Sequence, residues 1–363
     1  MSQPEMTFEQ WFIHSSYQDF IRREGVPMYE GSALSDMGHL ELGDWERRGG
    51  KCAYTRLGEQ EHHALQIIEI PPGGELKPEH HMYDAIMYVM SGQGATTIWQ
   101  QGEPKRTVEW KEGSLLGIPL NAWHQEFNNS GTEPARIFFG NNMPHVINFY
   151  NNLDFVFNCP FPFTDRYSYN IEKYFDYKKH WTLRMLETNF VPDIRSFNLD
   201  AYPERGNRTA IMRLAMSNVN LGIHVMSVSE GTYATAHRHG AGAHVIVVEG
   251  TGYELLYMPG EEKNRQKVDA SAYAVVAPKL NEFHQHFNSG KGEYKMLAFR
   301  STGLRYGWGG GYDPAATAQS KDPYQMSFMI PFAREDPAIR EEYYRELEKN
   351  GVEARLAPVA QRS

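Results

Sequence analysis

The chain has 363 residues, of which 41% are hydrophobic, and this is enough to bury one large core or two smaller ones. Its formal net charge of −9 argues against a general binder of nucleic acids or anionic membranes. The sequence contains no run of about 18 apolar residues, so we expect no transmembrane helix. The two cysteines, Cys52 and Cys159, are too few for a disulfide framework, so we expect a cytoplasmic protein with reduced thiols.

Residues 1–60 are predicted to form a helix followed by an arm. The first five residues lack the basic and apolar regions of a signal peptide. Apolar residues then recur at helical spacing from Phe8 to Ile21, and Gly25-Val26-Pro27 ends that helix. Glycines interrupt residues 31–50, which we expect to wrap a sheet edge or a neighbouring subunit.

Residues 61–150 have a β pattern. Apolar runs at 65–70 and 86–90 alternate with turns rich in proline and glycine. This segment contains Glu79, His81 and Asp84, and later His124. Residues 151–205 then contain several prolines and a possible short helix, which indicates a linker.

Residues 206–303 repeat the pattern of the first β segment. His81 and Gly92 correspond to His239 and Gly250 at one common spacing of 158 residues. The closing motifs are also alike: Trp123-His124-Gln125-Glu126-Phe127-Asn128 corresponds to Phe283-His284-Gln285-His286-Phe287-Asn288. A repeat of this kind predicts two domains of the same fold.

The last segment, residues 304–363, is predicted to hold a loop and a helix. Residues 306–312 are rich in glycine and aromatic side chains. Asp336-Pro337 then has the composition of a helix start, and Gly351 has that of a helix end.

The second repeat concentrates histidines that predict a metal site. His237 and His239 share one face if they lie on a strand. His244 precedes the apolar run 245–248, and a later strand returns His284 to the same interior. Neutral imidazole is a favoured ligand of iron, nickel, copper and zinc, so these four residues are the predicted ligands.

The two repeats resemble the cupin family. Gly231 precedes His237-x-His239 as in the first cupin motif, and Pro278 precedes His284, which is followed by Asn288 as in the second. The resemblance implies an all-β fold of two tandem double-stranded β-helix (jelly-roll) barrels with short flanking helices. Where the family has a metal-binding glutamate this chain has Ala243 beside His244, so the ligand set is either four histidines or three with open positions.

The first repeat departs further from the motif. Glu79 stands in the place of His237, and Ala85 stands where the family has its glutamate. His81 and His124 match, with Glu79 and Asp84 as possible helpers. We therefore expect a degenerate site there, whose histidines either retain a metal or are hydrogen-bonded core residues of a barrel that serves as a scaffold.

The resemblance implies an enzyme that uses a small-molecule substrate and O2. In three-histidine cupins, such as the gentisate-type and salicylate-type dioxygenases and the diketone-cleaving enzymes, open positions on iron admit both. We therefore expect a non-haem Fe(II) dioxygenase that cleaves a C–C bond of a small aromatic or enolisable compound, with Ni, Mn, Cu or Zn as alternative metals. The gentisate-type enzymes carry their complete motif in the N-terminal barrel, whereas this chain carries it in the C-terminal one.

Further residues are candidates around this site. His286 lies two residues after His284 on the same face, so it is either a fifth imidazole ligand or, like Gln285, a residue that hydrogen-bonds to the ligands. The candidate substrate contacts are Arg213, Tyr253, Tyr257 and Trp308. The alternative functions are a metal-binding isomerase or decarboxylase and a non-catalytic small-molecule binder. The family resemblance also implies a homo-oligomer.

Overall fold

A computed structural model describes residues 7, 14–58, 61–167, 173–181, 184–239, 242–301 and 328–356. These residues form four β-sheets, and most of the helices are short. The predicted all-β class with two tandem jelly-roll barrels is confirmed. None of the helices in the described ranges is long and apolar enough to cross a lipid bilayer.

The first barrel combines an 8-stranded and a 3-stranded sheet. In chain order, the first eleven strands are β1 Met28–Gly31, β2 Ala33–Leu34, β3 Gly43–Asp44, β4 Lys51–Leu57, β5 Ala64–Ile70, β6 Ala85–Ser91, β7 Gln93–Trp99, β8 Arg106–Lys111, β9 Leu115–Ile118, β10 Trp123–Asn128 and β11 Ala135–Asn141. All of them except β2 belong to this barrel. The large sheet has the order β1-β4-β5-β11-β6-β9, extended by Phe190–Val191, and its eighth strand, β3, pairs with β4 beside this path. The small sheet has the order β10-β7-β8. Buried side chains from both sheets, such as Ile68 and Ile98, share one core.

The second barrel combines a 9-stranded and a 5-stranded sheet. The remaining strands are β12 Lys178–Trp181, β13 Met185–Thr188, β14 Phe190–Val191, β15 Asp200–Ala201, β16 Thr209–Met216, β17 Gly222–Val228, β18 His237–Arg238, β19 His244–Glu249, β20 Thr251–Tyr257, β21 Gln266–Ser271, β22 Val275–Val276, β23 Phe283–Phe287, β24 Tyr294–Arg300 and β25 Phe328–Met329. The large sheet has the order β12-β13-β16-β17-β24-β19-β22-β2, and its ninth strand, β15, pairs with β16 beside this path. The small sheet has the order β21-β20-β23-β18-β25.

The two barrels pack against each other through their large sheets. Ile67 and Tyr88 of the first barrel share a buried cluster with Ile223 and Ile246 of the second. On β19 the neighbouring Val245 belongs instead to the cluster inside the second barrel. Because side chains alternate along a strand, each residue of β19 faces either the barrel interior or the other barrel.

The N-terminal arm contacts both barrels. β1 runs parallel to β4 of the first barrel, and β2 pairs antiparallel with β22 of the second. The helix before it, α1 Ser16–Glu24, begins after Ser15, whose side chain accepts a hydrogen bond from Gln18 N. Gly25 ends it with φ +70°, a conformation that favours glycine.

The other helices are α2 Met143–Tyr150, α3 Leu153–Asn158, α4 Thr164–Tyr167 and α5 Pro337–Asn350. Helix α5 begins after Asp336, whose side chain accepts a hydrogen bond from Ala338 N, and it ends at Gly351 with φ +64°. Its buried residues Ile339 and Tyr343 lie in one cluster with Tyr233 and Phe287 of the second barrel's small sheet. The helix therefore covers the outer face of that sheet.

Two equivalent asparagines close the repeat in both barrels. Asn288 Nδ2 donates to Gly292 O at 2.8 Å, and its Oδ1 accepts from Gly290 N at 3.1 Å. Asn128 makes the matching bonds to Glu133 O at 2.8 Å and from Ser130 N at 2.9 Å. The repeat seen in the sequence is thus a repeat of local structure.

Candidate metal centre

Three histidines of the second barrel meet where β18 pairs with β23. His237 is in register with His284, and their ring centroids lie 3.9 Å apart. His286 lies two positions further along β23 and so faces the same side. One ring nitrogen from each of the three lies within 4.8 Å of the other two. Since metal–imidazole bonds are about 2.0–2.1 Å long, small side-chain adjustments would let all three reach one ion.

His239 stands at the edge of this group. Its ring centroid lies 5.4 Å from that of His237 and 5.0 Å from that of His284, and it lines the same cavity. The structure therefore brings the predicted residues His237, His239 and His284 together. It adds His286, for which the sequence left open the roles of ligand and of hydrogen-bonding partner. Which of these imidazoles bind a metal remains a prediction.

The chemistry of this donor set fits a metal ion. His237 Nδ1 and His284 Nδ1 are buried and have no hydrogen-bond partner among the described residues. Burial, with Arg205 nearby, lowers the pKa of His237 well below its usual value and lowers that of His286 to about 3. Burial likewise lowers the pKa of His284. The rings are therefore neutral at neutral pH, which is the form that binds metals.

A buried carboxyl group orients His286. His286 Nδ1 lies 2.6 Å from Glu254 Oε2, and Tyr294 OH donates to Glu254 Oε1 at 3.0 Å. Burial raises the pKa of Glu254 well above its usual value. Because this pair occupies Nδ1, the Nε2 atom of His286 is the nitrogen left to face the cavity.

The structure corrects the prediction that His244 is a ligand. The ring of His244 stacks on Phe299 with centroids 5.2 Å apart, and His63 of the first barrel meets it edge-on at 4.5 Å. Its neighbours Ala243 and Val245 line the cavity instead. The physical reason is the alternation along β19, which turns His244 away from the barrel interior and toward the first barrel.

The first barrel assembles a comparable group that is already bound to arginines. One ligand atom from each of Glu79, His81 and His124 lies within 4.8 Å of the others, and the Nε2 atoms of the two histidines are 3.3 Å apart. Arg48 Nη1 donates to Glu79 Oε1 at 2.8 Å, and Arg47 donates to the other oxygen. Although burial opposes ionisation, Arg48 and Arg47 hold the pKa of Glu79 far below its usual value.

The rest of this network is also paired. Arg48 Nη2 donates to Glu126 Oε2 at 2.7 Å, and Glu126 Oε1 lies 2.7 Å from His124 Nδ1. Asp84, suggested by the sequence as a helper, binds Arg166 at 2.7 Å and is not part of the group. A buried guanidinium thus neutralises the carboxylates of the first barrel, where the second barrel has imidazoles around a cavity.

Comparisons with known proteins agree with this architecture. A family model described as "Cupin domain" matches residues 66–140, which lie in the first barrel. Lactobacillus farciminis oxalate decarboxylase, solved as a formate complex, is 10% identical over 76% of this chain and 87% of that chain, with a TM-score of 0.51. Bacillus subtilis oxalate decarboxylase, a structure whose Mn(II) centres have been studied, is 12% identical over 74% and 77%, with a TM-score of 0.50.

This chain has the bicupin fold. A salicylate 1,2-dioxygenase from Pseudaminobacter salicylatoxidans is 13% identical over 66% of this chain and 71% of that chain, with a TM-score of 0.47. At these identities the likeness concerns the fold alone. No curated protein sequence matches the chain.

The predicted substrate contacts of the bicupin divide into two groups. Arg213 lines the histidine cavity. Tyr253 does not, because it stacks on Phe287 at 4.5 Å on the face covered by α5. Tyr257 packs on Phe283 at 5.4 Å, away from the cavity. Trp308 lies outside the described residues.

Gln285 also faces away from the histidines. Its Nε2 donates to Ala234 O at 3.0 Å and to Glu335 Oε2 at 2.7 Å. The correction has the same cause as for His244: Gln285 alternates with His284 and His286 along β23, so it points to the outer face of the sheet.

Sequence reasoning missed several residues of the site. The cavity has a volume of about 60 Å³ and is lined by Tyr202, Arg205, Ile211, Arg213, His224, Met226, His237, His239, Ala243, Val245, His284, His286, Met296, Ala298 and Arg300. His224 and Arg300 could have been found from strand alternation with Met226 and Ala298. Arg205 lies on a short 3-10 turn, Pro203–Arg205, and no local pattern marked it.

Proposed function

We propose that the second barrel binds Fe(II) and that the protein is a non-haem iron dioxygenase that cleaves a C–C bond of a small enolisable or aromatic substrate. The observation that carries the proposal is the cluster of His237, His239, His284 and His286 around one cavity. Neutral nitrogen ligands without thiolate suit iron, with nickel, manganese, copper and zinc as alternatives.

The metal would supply Lewis acidity and a template on which a chelating substrate and O2 meet. The protein's own side chains would position the metal and the substrate and would keep water out of the cavity. The register of His237 with His284 brings their two rings side by side at the cavity. Apolar side chains such as Met226 and Val245 line the same cavity and would limit the access of water to it.

Glu254 has a separate role in this proposal. Its Oε2 atom pairs with His286 Nδ1 at 2.6 Å and thereby fixes the orientation of that ring. Tyr294 fixes the carboxyl group from its other oxygen. The Nε2 atom of His286 is thus available either as a metal ligand or as a hydrogen-bonding group beside the substrate.

The test combines metal analysis with oxygen uptake. The Fe(II)-loaded protein is assayed with catechols, gentisate, salicylate, 1,3-diketones and 2-oxo acids. We expect O2 consumption with at least one class, abolished in His237→Ala and unchanged in His39→Ala, an exposed histidine on the N-terminal arm. A protein that holds iron and consumes no O2 with any of these classes would contradict the dioxygenase proposal.

A metal-dependent decarboxylase is the second candidate. The favouring observation is the pair of Glu254 and His286, which could deliver a proton beside the cavity, as a decarboxylation requires. Release of CO2 from a carboxylic acid without net O2 uptake, lost in His286→Ala, would support this candidate and exclude the dioxygenase.

A further inference from the structure

Arg205 is a buried cation, and some nitrogen atoms of its guanidinium group lack a hydrogen bond. It is 4% exposed, and its Nε and one Nη have no hydrogen-bond partner among the described residues. Its carbonyl accepts a hydrogen bond from Thr235 N at 2.7 Å, which fixes the turn that carries it. Its side chain lines the same cavity as His237 and His286.

The carboxyl group of Glu254 does not fully balance the positive charge of Arg205. Glu254 attracts Arg205 electrostatically, but it is already bonded to His286 and Tyr294. An uncompensated buried charge is costly, and proteins usually keep one only where something else neutralises it.

Two further arginines line the same cavity. Arg213 on β16 is in register with His224 on β17, and Arg300 on β24 is in register with Gly222 at the start of β17. Both side chains face inward with His224. No aspartate or glutamate is among the described residues that line this cavity. A divalent metal held by neutral imidazoles would add to the positive charge.

We propose that the substrate of this site is a compact carboxylate whose anionic end binds Arg205, in a cavity that Arg213 and Arg300 also line. This inference rests on the proposed function, since it names the substrate class of the same metal site. Guanidinium groups bind carboxylates with paired, charge-assisted hydrogen bonds.

The size and the lining of the cavity limit which carboxylates can be the substrate. Its volume is about 60 Å³, whereas one ordered water needs roughly 10–15 Å³ on the same measure. The space therefore suits an acid of a few carbon atoms rather than an aromatic ring. Apolar walls from Ile211, Met226 and Ala298 favour a carboxylate with a carbon body over inorganic phosphate. An enolisable short-chain acid meets both requirements.

The test measures binding without turnover. Malonate, its uncharged analogue malonamide and inorganic phosphate are titrated by calorimetry into the Fe(II)-loaded protein without oxygen, and into the metal-free protein. We expect malonate to bind at least about 10-fold more tightly than malonamide, and more tightly than phosphate. Arg205→Met should weaken malonate about 10–100-fold, because a hydrogen-bonded charge is lost. Arg205→Lys should weaken it less.

Two controls separate binding from folding. Arg208→Met removes an exposed arginine near the same turn and should leave malonate binding unchanged. Removal of the uncompensated charge should raise the Tm of unliganded Arg205→Met above that of wild type, while the malonate-induced rise in Tm shrinks. A variant that is more stable yet binds malonate poorly would not owe that loss to misfolding.

The outcomes distinguish the two proposals. Equal affinities for malonate and malonamide, or malonate binding unchanged in Arg205→Met, would overturn the carboxylate inference while leaving iron binding and O2 uptake in place. Phosphate binding tighter than malonate would also overturn it. Arg205-dependent malonate binding by a protein that never retains iron would end the dioxygenase proposal and leave the anion site standing.

Discussion

His237 and His284 face each other across one antiparallel strand pair, with ring centroids 3.9 Å apart. In the first barrel the equivalent pair is Glu79 and His124, joined by backbone hydrogen bonds in both directions. Two replacements, Glu79 for His237 and Glu126 for His286, therefore separate a cluster of neutral imidazoles from carboxylates held by arginines. The different chemistry of the two clusters starts from this difference.

The first prediction concerns His244. Replacement by leucine should leave the metal content of the protein unchanged, because His244 points away from the cavity toward His63. His284→Ala should lower metal affinity by at least about 100-fold, since even the loss of a ligand's hydrogen-bonding partner costs about 10–100-fold. Metal titration of the two variants side by side checks this, and equal losses in both would restore His244 as a ligand.

The second prediction concerns Glu254. Glu254→Gln keeps the size of the side chain but alters its pairing with His286 Nδ1. We expect metal affinity or turnover to fall about 10–100-fold, with a changed pH profile, because the tautomer of His286 is no longer fixed. Glu249→Gln, at the exposed end of the preceding strand β19, is the matched control. A Glu254→Gln variant with the wild-type pH profile would contradict the assigned role.

The third prediction concerns acid stability. Burial lowers the pKa of His244 from its usual 6.5 to about 3. The unfolded chain therefore binds more protons below pH 6.5, and the stability that a neutral His244 provides is present above that pH and is lost as the pH falls toward 3. Between pH 6.5 and 5 the loss is about 2 kcal/mol from this residue. Urea unfolding of the metal-free protein should show a smaller loss in His244→Leu, and an unchanged pH dependence would refute the assignment.

The fourth prediction concerns the first barrel. Arg48 is buried between Glu79 and Glu126, so Arg48→Met would leave two carboxylates without this partner. Breaking a buried pair in this way costs about 3–5 kcal/mol. Thermal unfolding should show a large fall in Tm, whereas exposed Arg22→Met should change it little. A stable Arg48→Met variant would show that the network does not support the barrel.

The sequence predicted much of this architecture because the histidine and asparagine motifs recur at nearly constant spacing. It placed His237, His239 and His284 in one interior for the same reason. It placed His244 wrongly, because a shift of one residue reverses the face of a strand and the start of β19 was not known. Glu254 depends on the register between β20 and β23, which motif spacing does not contain.

Arg205 shows a different limit of sequence reasoning. It reaches the cavity from a turn outside the barrel strands, so only the tertiary fold brings it beside His286. Arg213 was suggested by its charge alone, and the structure places it at the cavity. The sequence could therefore predict site residues that follow a repeated spacing. It could not predict residues whose position depends on strand register or on a distant turn that the tertiary fold brings to the cavity.

The most direct test of the central claim is the metal stoichiometry of the protein after anaerobic loading with Fe(II) and removal of free metal. Wild type, the double variant His237→Ala/His284→Ala and the first-barrel variant His81→Ala are measured by elemental analysis. The account predicts close to one iron per chain in wild type and in His81→Ala, and almost none in the double variant. Equal iron in wild type and the double variant, or no iron in wild type, would contradict it.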